Sequence, residues 1–93
     1  MVVSVIAWEL HITGCSSLKQ KRAVLRSLKD RLRGRHNVSV AETKYQDTWQ
    51  RAELCAATVS SDRRRADEVL SHADALVASD ARVRIIDSVS YTF

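Results

Sequence analysis

Apolar and polar residues alternate along the first dozen positions of the chain, which places Ile6, Trp8 and Leu10 on one face. A period of two is typical of a strand that has one buried face. The same alternation recurs further along, where Ala52 and Leu54 share a face, and two other segments are rich in β-branched residues. The four predicted strands are residues 2–12, 37–43, 49–60 and 83–93.

Two segments between these strands have the apolar period of about 3.6 residues that indicates amphipathic helices. Ser17 and Gln20 predict a capping box at the start of the first helix, which should run to about Arg33 with Gly34 as its C-terminal cap. A serine at positions 60–61 should cap the second helix. The order βαββαβ predicts an α+β ferredoxin-like sandwich, in which two helices cover one face of a four-stranded antiparallel sheet.

The other face of this predicted sheet has no helix to cover it. Apolar side chains gathered there would favour a sheet-to-sheet homodimer. The alternative is an error of one residue in a strand assignment, because a single bulge reverses the alternation. Ile85 and Val89 are further candidates for this face. The predicted dimer interface comprises Val3, Val5, Ala7, Cys55, Ala57 and Val59.

Positive charge is concentrated in the first predicted helix. Residues 19–35 hold 8 of the 15 Lys and Arg residues and a single acid, Asp30, so this segment carries +7 whereas the whole chain carries +4. Five of these cations fall within about 80° of a helical wheel. Such a stripe is typical of a surface that binds RNA or another polyanion. The alternative is an ordinary solvated face, which usually interleaves acids. The stripe, called the basic ridge below, comprises Lys19, Arg22, Arg26, Lys29 and Arg33.

Three residues outside the basic ridge complete the predicted nucleic-acid interface. Lys21 lies in the apolar arc of the first helix, where it either pairs with an acid such as Asp47 or joins Arg22 and Arg51 as an anion clamp. Trp49 offers a ring on which a base can stack, although a Trp at the start of a strand often packs in the core. The full predicted interface is Lys19, Lys21, Arg22, Arg26, Lys29, Arg33, Trp49 and Arg51.

Length and composition indicate one domain over residues 1–93, with 45% hydrophobic and 28% charged residues. No apolar run approaches the roughly 20 residues of a membrane span. Cys15 and Cys55 form neither a disulfide framework nor a zinc-ligand spacing, which favours a bacterial-type cytoplasmic location with reduced thiols. No metal or cofactor site is predicted. Cys15 precedes a helix but has no suitably spaced histidine, so we expect no enzymatic activity.

Five segments of the chain form a recognisable combination. They are residues 17–22 (SLKQKR), 27–33 (SLKDRLR), 36–42 (HNVSVAE), 46–52 (QDTWQRA) and 59–62 (VSSD). Together they resemble the YlxP-like family of small bacterial proteins. The resemblance implies a ferredoxin-like fold and names no active site. Genes of this family often lie beside those of translation initiation and ribosome-maturation factors, which implies a translation-linked role by association. Cys15 and Cys55 depart from the family pattern and are not expected to serve a family-wide function.

These patterns predict a small, non-enzymatic, cytoplasmic homodimer that binds RNA or a ribosomal surface through its first helix. The alternative is a dimeric ligand-binding or regulatory module that does not bind nucleic acid.

Overall fold

The computed structural model describes residues 1–93 and contains the six elements in the predicted order. The strands form one antiparallel sheet with the order β2-β3-β1-β4, which confirms the ferredoxin-like βαββαβ fold. The elements are β1 (Val2–Ile12), α1 (Leu18–Arg35), β2 (Ser39–Lys44), β3 (Arg51–Ser60), α2 (Arg63–Ser79) and β4 (Val83–Thr92). Neither helix is long and apolar enough to cross a membrane.

The core lies between one face of the sheet and the two helices. The predicted buried face of β1 is confirmed, because Trp8 and Leu10 are fully buried. In α1 the core residues follow helical spacing, with Leu25, Leu28 and Leu32 all buried. Helix α1 lies against β2, whereas α2 packs against β1, β3 and β4. The two helices therefore stand over opposite halves of the sheet and leave its other face open.

The ends of the helices differ from the predicted caps. Gly34 lies inside α1 and is not its cap, because His36 is extended and its N–H donates to Leu32 O over 3.0 Å, so no left-handed residue is needed. Helix α2 is capped by Asp62, whose Oδ1 accepts from the N–H of Arg64 over 3.0 Å, and not by either serine. The carboxylate is the stronger acceptor, which also suits the positive end of the helix dipole.

The predicted capping box of α1 is displaced by one residue. Ser17 Oγ accepts from the N–H of Gln20 over 3.1 Å, as predicted. The Gln20 side chain, however, accepts from the N–H of Ser16 over 2.8 Å and not from that of Ser17. The Gln20 side chain thus holds the loop that enters α1 rather than the cap residue itself.

Asp80 fixes the turn between α2 and β4. Its side chain is buried and accepts from the Arg82 guanidinium over 2.7 Å and from Arg31 over 3.1 Å. The hydrogen bonds from Arg82 hold the pKa of the Asp80 carboxyl below its ordinary value, against the opposing effect of desolvation. Arg82 also donates to Ser27 Oγ over 3.1 Å. This cluster therefore links α1 to the turn that leads into β4.

Candidate nucleic-acid interface

The basic ridge lies on the flank of α1 that runs beside β2, the edge strand. Lys19, Arg22 and Arg26 are exposed and border a shallow surface groove. Lys29 is half-buried, and Arg33 is exposed but donates from Nη2 to Val40 O of β2 over 2.8 Å. That hydrogen bond shows where the ridge ends, namely at the free edge of the sheet. The structure thus presents the five predicted ridge cations as one continuous strip.

The five cations of the basic ridge lack acidic partners, unlike two of the three arginines at the start of α2. Arg63 pairs with Asp67 over 3.9 Å and Arg64 with Glu68 over 3.5 Å, which is the i,i+4 pairing expected of a solvated helix. Asp30, an acid within α1, forms no ion pair. The Lys and Arg residues of α1 that form no ion pair are Lys19, Arg22, Arg26, Lys29, Arg33 and Arg35.

Lys21 does not belong to this exposed strip, which corrects its place in the predicted interface. Only 1% of its surface is exposed, and its Nζ lies 2.9 Å from Glu42 Oε2. The same ammonium donates to Tyr45 O. The predicted partner, Asp47, is exposed and forms no ion pair with Lys21, because the Lys21 side chain reaches β2 from the apolar side of α1. Lys21 therefore cannot contact a nucleic acid in this structure.

Trp49 lies in the loop between β2 and β3 and not at the start of a strand. Half of its surface is exposed. The neighbouring Gln50 anchors the loop, since its Nε2 donates to Cys15 O over 3.1 Å and its carbonyl accepts from the Ile12 N–H over 2.9 Å. Cys15 lies just before α1. The loop thus holds an exposed indole near the N-terminal end of the basic ridge.

Arg51 is not brought together with the ridge. It lies on the open face of the sheet, where Nη2 donates to Glu9 Oε1 over 2.6 Å and the guanidinium lies 4.4 Å from the centre of the Tyr45 ring. The hydrogen bond from Arg51 also lowers the pKa of the Glu9 carboxyl. Helix α1 covers the opposite face, so Arg51 does not join Arg22 in the predicted anion clamp.

The open face carries the six residues predicted for a dimer interface. Antiparallel pairing aligns Val3 with Val59, Val5 with Ala57 and Ala7 with Cys55 on the two central strands. These six side chains range from half-buried to exposed. On the other side of β1, the apolar surface continues into β4 through Val89, Tyr91 and Phe93.

Sequence reasoning did not include the two aromatic residues of this surface. Tyr91 and Phe93 share the face of Val89 by a period of two, and their stacked rings lie 6.5 Å apart. Ile85, a further candidate for the open face, lies on the core side instead, because the register shift between Glu9 and Leu10 turns it toward the core. The alternation of apolar and polar residues along 89–93 is the sequence signal that places both aromatic residues on the face of Val89.

The structure forms no metal site, and its two thiols differ in burial. No group of three His, Cys, Asp or Glu side chains is arranged to hold a metal ion. Cys15 is buried, and its Sγ donates to Ser17 O over 3.2 Å. Cys55 lies on the open face with its Sγ 3.2 Å from Thr43 Oγ1. Both cysteines are free thiols.

Among solved structures, the chain resembles SnoaB, a cofactor-independent oxygenase from Streptomyces nogalater. Two structures of it, one of them of a mutant, give TM-scores of 0.49 and 0.48, each at 18% identity over 99% of this chain and 90% of SnoaB. This finding corrects the expectation of a chain without enzymatic activity, since an oxygenase stands among its structural neighbours. At this identity, and with both TM-scores below 0.5, the likeness carries no argument about the reaction of this chain, and the oxygenase activity is not transferred to it.

A nearer relative is known from sequence. The uncharacterized protein YlxP of Bacillus subtilis (strain 168) is 42% identical over 71 residues, which cover 76% of this chain and 77% of YlxP. The family model described as "Protein of unknown function (DUF503)" matches residues 3–89. The resemblance seen in the sequence is thereby confirmed, and this chain belongs to the DUF503 family.

Proposed function

We propose that the basic ridge binds RNA, including the RNA exposed on ribosomal particles, through contacts to phosphates. The observation that supports this most directly is the absence of acidic partners for the ridge cations, since unpaired Lys and Arg side chains are free to release counterions from a polyanion. From Lys19 to Arg33 the helix rises by about 21 Å, which is long enough to follow several successive phosphates. Such RNA lies in the cytoplasm, where reducing conditions suit two free cysteines.

Trp49 supports the same proposal from the neighbouring loop. An exposed indole near the end of a cationic strip provides a surface on which an unpaired base stacks, while the ridge holds the backbone. The ridge then supplies affinity without sequence preference, and Trp49 favours single-stranded or looped segments over a continuous duplex. A ribosomal surface offers both kinds of RNA, in agreement with the translation-linked role that the family resemblance implies.

The ridge is tested by replacing Lys19, Arg22 and Arg26 with Gln together. These three are chosen because their side chains form no hydrogen bond within the protein, whereas Arg33 holds Val40 O. If each contacts one phosphate, the slope of log K against log salt should flatten by about 2 to 3 units for RNA. Fluorescence titration of a labelled RNA at several salt concentrations, together with sedimentation with ribosomal particles, measures the change.

The matched control replaces Arg63, Arg64 and Arg65 with Gln, which removes the same charge from α2. This variant should keep the parental slope, because two of its three cations are already paired with acids. If both variants lost the same RNA affinity, the loss would be due to net charge and not to the position of the cations. If the ridge variant bound RNA as well as the parent chain, the ridge would be an ordinary solvated face. A dimeric ligand-binding module would then be the better account.

We further propose that the open face of the sheet joins two copies of the chain. Three strands of about ten residues and one of six, at about 4.8 Å spacing and about 3.3 Å per residue, give a face of roughly 570 Å² per partner. That area lies at the lower end of stable protein–protein interfaces, which bury about 1,200 Å² in total. Exposed Val59, Tyr91 and Phe93 would gain most from burial.

Replacing Val5 or Val59 with Asp should convert this dimer to monomers. A carboxylate placed in the centre of an apolar interface loses its hydration without finding a partner, whereas on a free surface it remains solvated. Ala75→Asp on the exposed side of α2 is the control and should leave the dimer intact. Light scattering at tens of micromolar measures the mass. A parent chain that is strictly monomeric at that concentration would contradict the proposal.

A further inference from the structure

The free edge of β4 carries main-chain groups without partners. Val3 and Phe93 exchange both main-chain hydrogen bonds, at 3.0 and 2.7 Å. Because such pairs alternate along an antiparallel ladder, the residues between them direct their N–H and C=O groups away from β1. These outward residues are Ser88, Ser90 and Thr92. The Ser88 N–H is taken up by Asp87 Oδ1 at 2.8 Å, whereas the groups of Ser90 and Thr92 remain free.

A groove runs between this edge and α2. It encloses about 310 Å³ and is lined by hydroxyl-bearing residues of β4 and by residues of α2. Side chains such as Ser88 and Ser90 are too small to fill the space under the strand, so α2 stands off from this end of β4. The walls on the α2 side include Asp67 and Asp74. The free strand edge and an acidic groove therefore lie side by side.

The carboxylates of this groove are suited to a cationic ligand. Asp74 accepts from Trp8 Nε1 over 2.8 Å through one oxygen only, which fixes the carboxylate in place. Asp67 lies 3.9 Å from Arg63, and both side chains are largely exposed, so this pair is weak. Neither carboxylate is neutralised by a buried cation. The groove therefore repels RNA and attracts basic side chains.

We propose that an extended basic peptide segment of a partner protein binds along β4 as a fifth strand. Its main chain would pair with Ser90 and Thr92, as in other complexes formed by strand addition. Alternate side chains of a strand point to opposite faces, so every second residue would stand over the groove near Asp67 and Asp74. Lys or Arg fits those positions. The residues between them would extend the apolar open face beside Val89 and Tyr91.

A second copy of this chain suits the edge less well. Antiparallel pairing of two β4 strands around Ser90 would bring two sets of Asp67 and Asp74 toward one another, and like charges in such proximity oppose association. A basic peptide meets the same edge with opposite charge. Charge complementarity therefore selects the peptide as the occupant.

The test uses a short acetylated peptide of alternating Lys and Val with the full chain. Nuclear magnetic resonance should show slowed amide exchange at Ser90 and Thr92 on binding, because both N–H groups become hydrogen-bonded. A peptide N-methylated at every residue keeps its charge but loses all of its main-chain donors, and should bind about tenfold more weakly or not at all. A Glu–Val peptide should not bind.

Two variants of the protein locate the site. Ser90→Pro removes one outward N–H without breaking the ladder to β1, and should weaken binding by about tenfold, whereas Ser90→Ala should stay within about twofold. Asp67→Lys changes an exposed helix residue and should weaken binding of the Lys–Val peptide similarly, by about tenfold. It serves as the second test if the Pro variant fails to fold.

Three outcomes would overturn the proposal. Equal affinity for the N-methylated peptide would mean that charge alone drives binding. Perturbation confined to Val5 and Val59 would place the peptide on the open face. Protection of the Ser90 amide that rises with protein concentration, in the absence of peptide, would identify a second copy as the occupant of this edge.

Discussion

Replacing Lys21 with Ala is expected to lower the free energy of unfolding by about 3–5 kcal/mol. The ammonium is buried, and it is the only partner of Glu42 Oε2, a buried oxygen that no other donor reaches. Removing the cation would leave a carboxylate oxygen desolvated and unpaired. It would also release the carbonyl of Tyr45, a residue held at a φ of +65°. The substitution should therefore loosen the loop that carries Trp49 as well as destabilise the fold.

Urea denaturation followed by circular dichroism measures this loss. The double variant Lys21→Met with Glu42→Leu removes both charges and should recover most of the stability, since a buried pair is often replaced by apolar residues at little cost. Arg22→Ala is the matched control on the next residue and should change stability by less than about 0.5 kcal/mol, because Arg22 is exposed and unpaired. Equal stability of the Lys21→Ala and Arg22→Ala variants would refute the assigned role.

The position of Lys21 shows what local sequence patterns can and cannot predict. Its place in the apolar arc of α1 follows from helical spacing alone, which depends only on neighbouring residues. Its partner depends on how β2 lies across α1, which no local pattern encodes. An acid four residues into a strand and another in the following loop are equally plausible partners in the sequence. Glu42 is selected by the packing of the two elements.

The strands and helices were predicted well because their periodicities are local, whereas the C-terminal cap of α1 and the N-terminal cap of α2 were predicted wrongly. Several good cap residues stand together before α2, and Asp62 is used because the helix begins at Arg63, at least one residue later than a serine cap would place its start. Gly34 is a typical cap, yet the helix passes through it, since an extended His36 satisfies Leu32 O. Where several residues could cap a helix, the path of the chain to the next element decides which one does.

The candidate sites divide in the same way. The basic ridge is a property of one helix and could be predicted in position, whereas the absence of partners for its cations required the whole structure. The place of Arg51 on the open face was available in the sequence, because Ala52 and Leu54 face the core and a strand alternates. The groove beside β4 was not available, since Ser88 and Ser90 meet α2 only through the register of β4.

The two proposed binding surfaces lie at opposite edges of the sheet. The basic ridge stands beside β2, and the acidic groove stands beside β4, with β3 and β1 between them. Their charges are opposite, so each surface excludes the ligand of the other. A ribonucleoprotein particle presents both phosphates and basic peptide segments. Simultaneous use of the two edges would allow this chain to bridge an RNA and a protein of one such particle.

Replacing Trp8 with Ala is expected to cost about 3–5 kcal/mol of unfolding free energy. Trp8 is fully buried at the centre of β1, so its removal leaves a large cavity beneath α2. Its Nε1 also donates to Asp74 over 2.8 Å, and the loss of that donor frees a carboxylate of the β4 groove. Asp74→Ala keeps the ring in place but leaves the indole N–H without a partner, and should cost about 1–3 kcal/mol.

Trp49→Ala is the matched control, because it removes the same side chain from a half-exposed loop position. It should change stability by less than about 1 kcal/mol, since much less apolar area is withdrawn from burial. Circular dichroism in urea compares the two variants, since each retains a single Trp and fluorescence would report different regions. If both Trp variants lost equal stability, either the indole of Trp49 would be part of the core or that of Trp8 would not. We expect a large loss of stability in the Trp8 variant and near-parental stability in the Trp49 variant, which would leave the indole of Trp49 available for the base stacking proposed above. A loss of RNA affinity in the Trp49 variant could then be assigned to the contact with the base and not to unfolding.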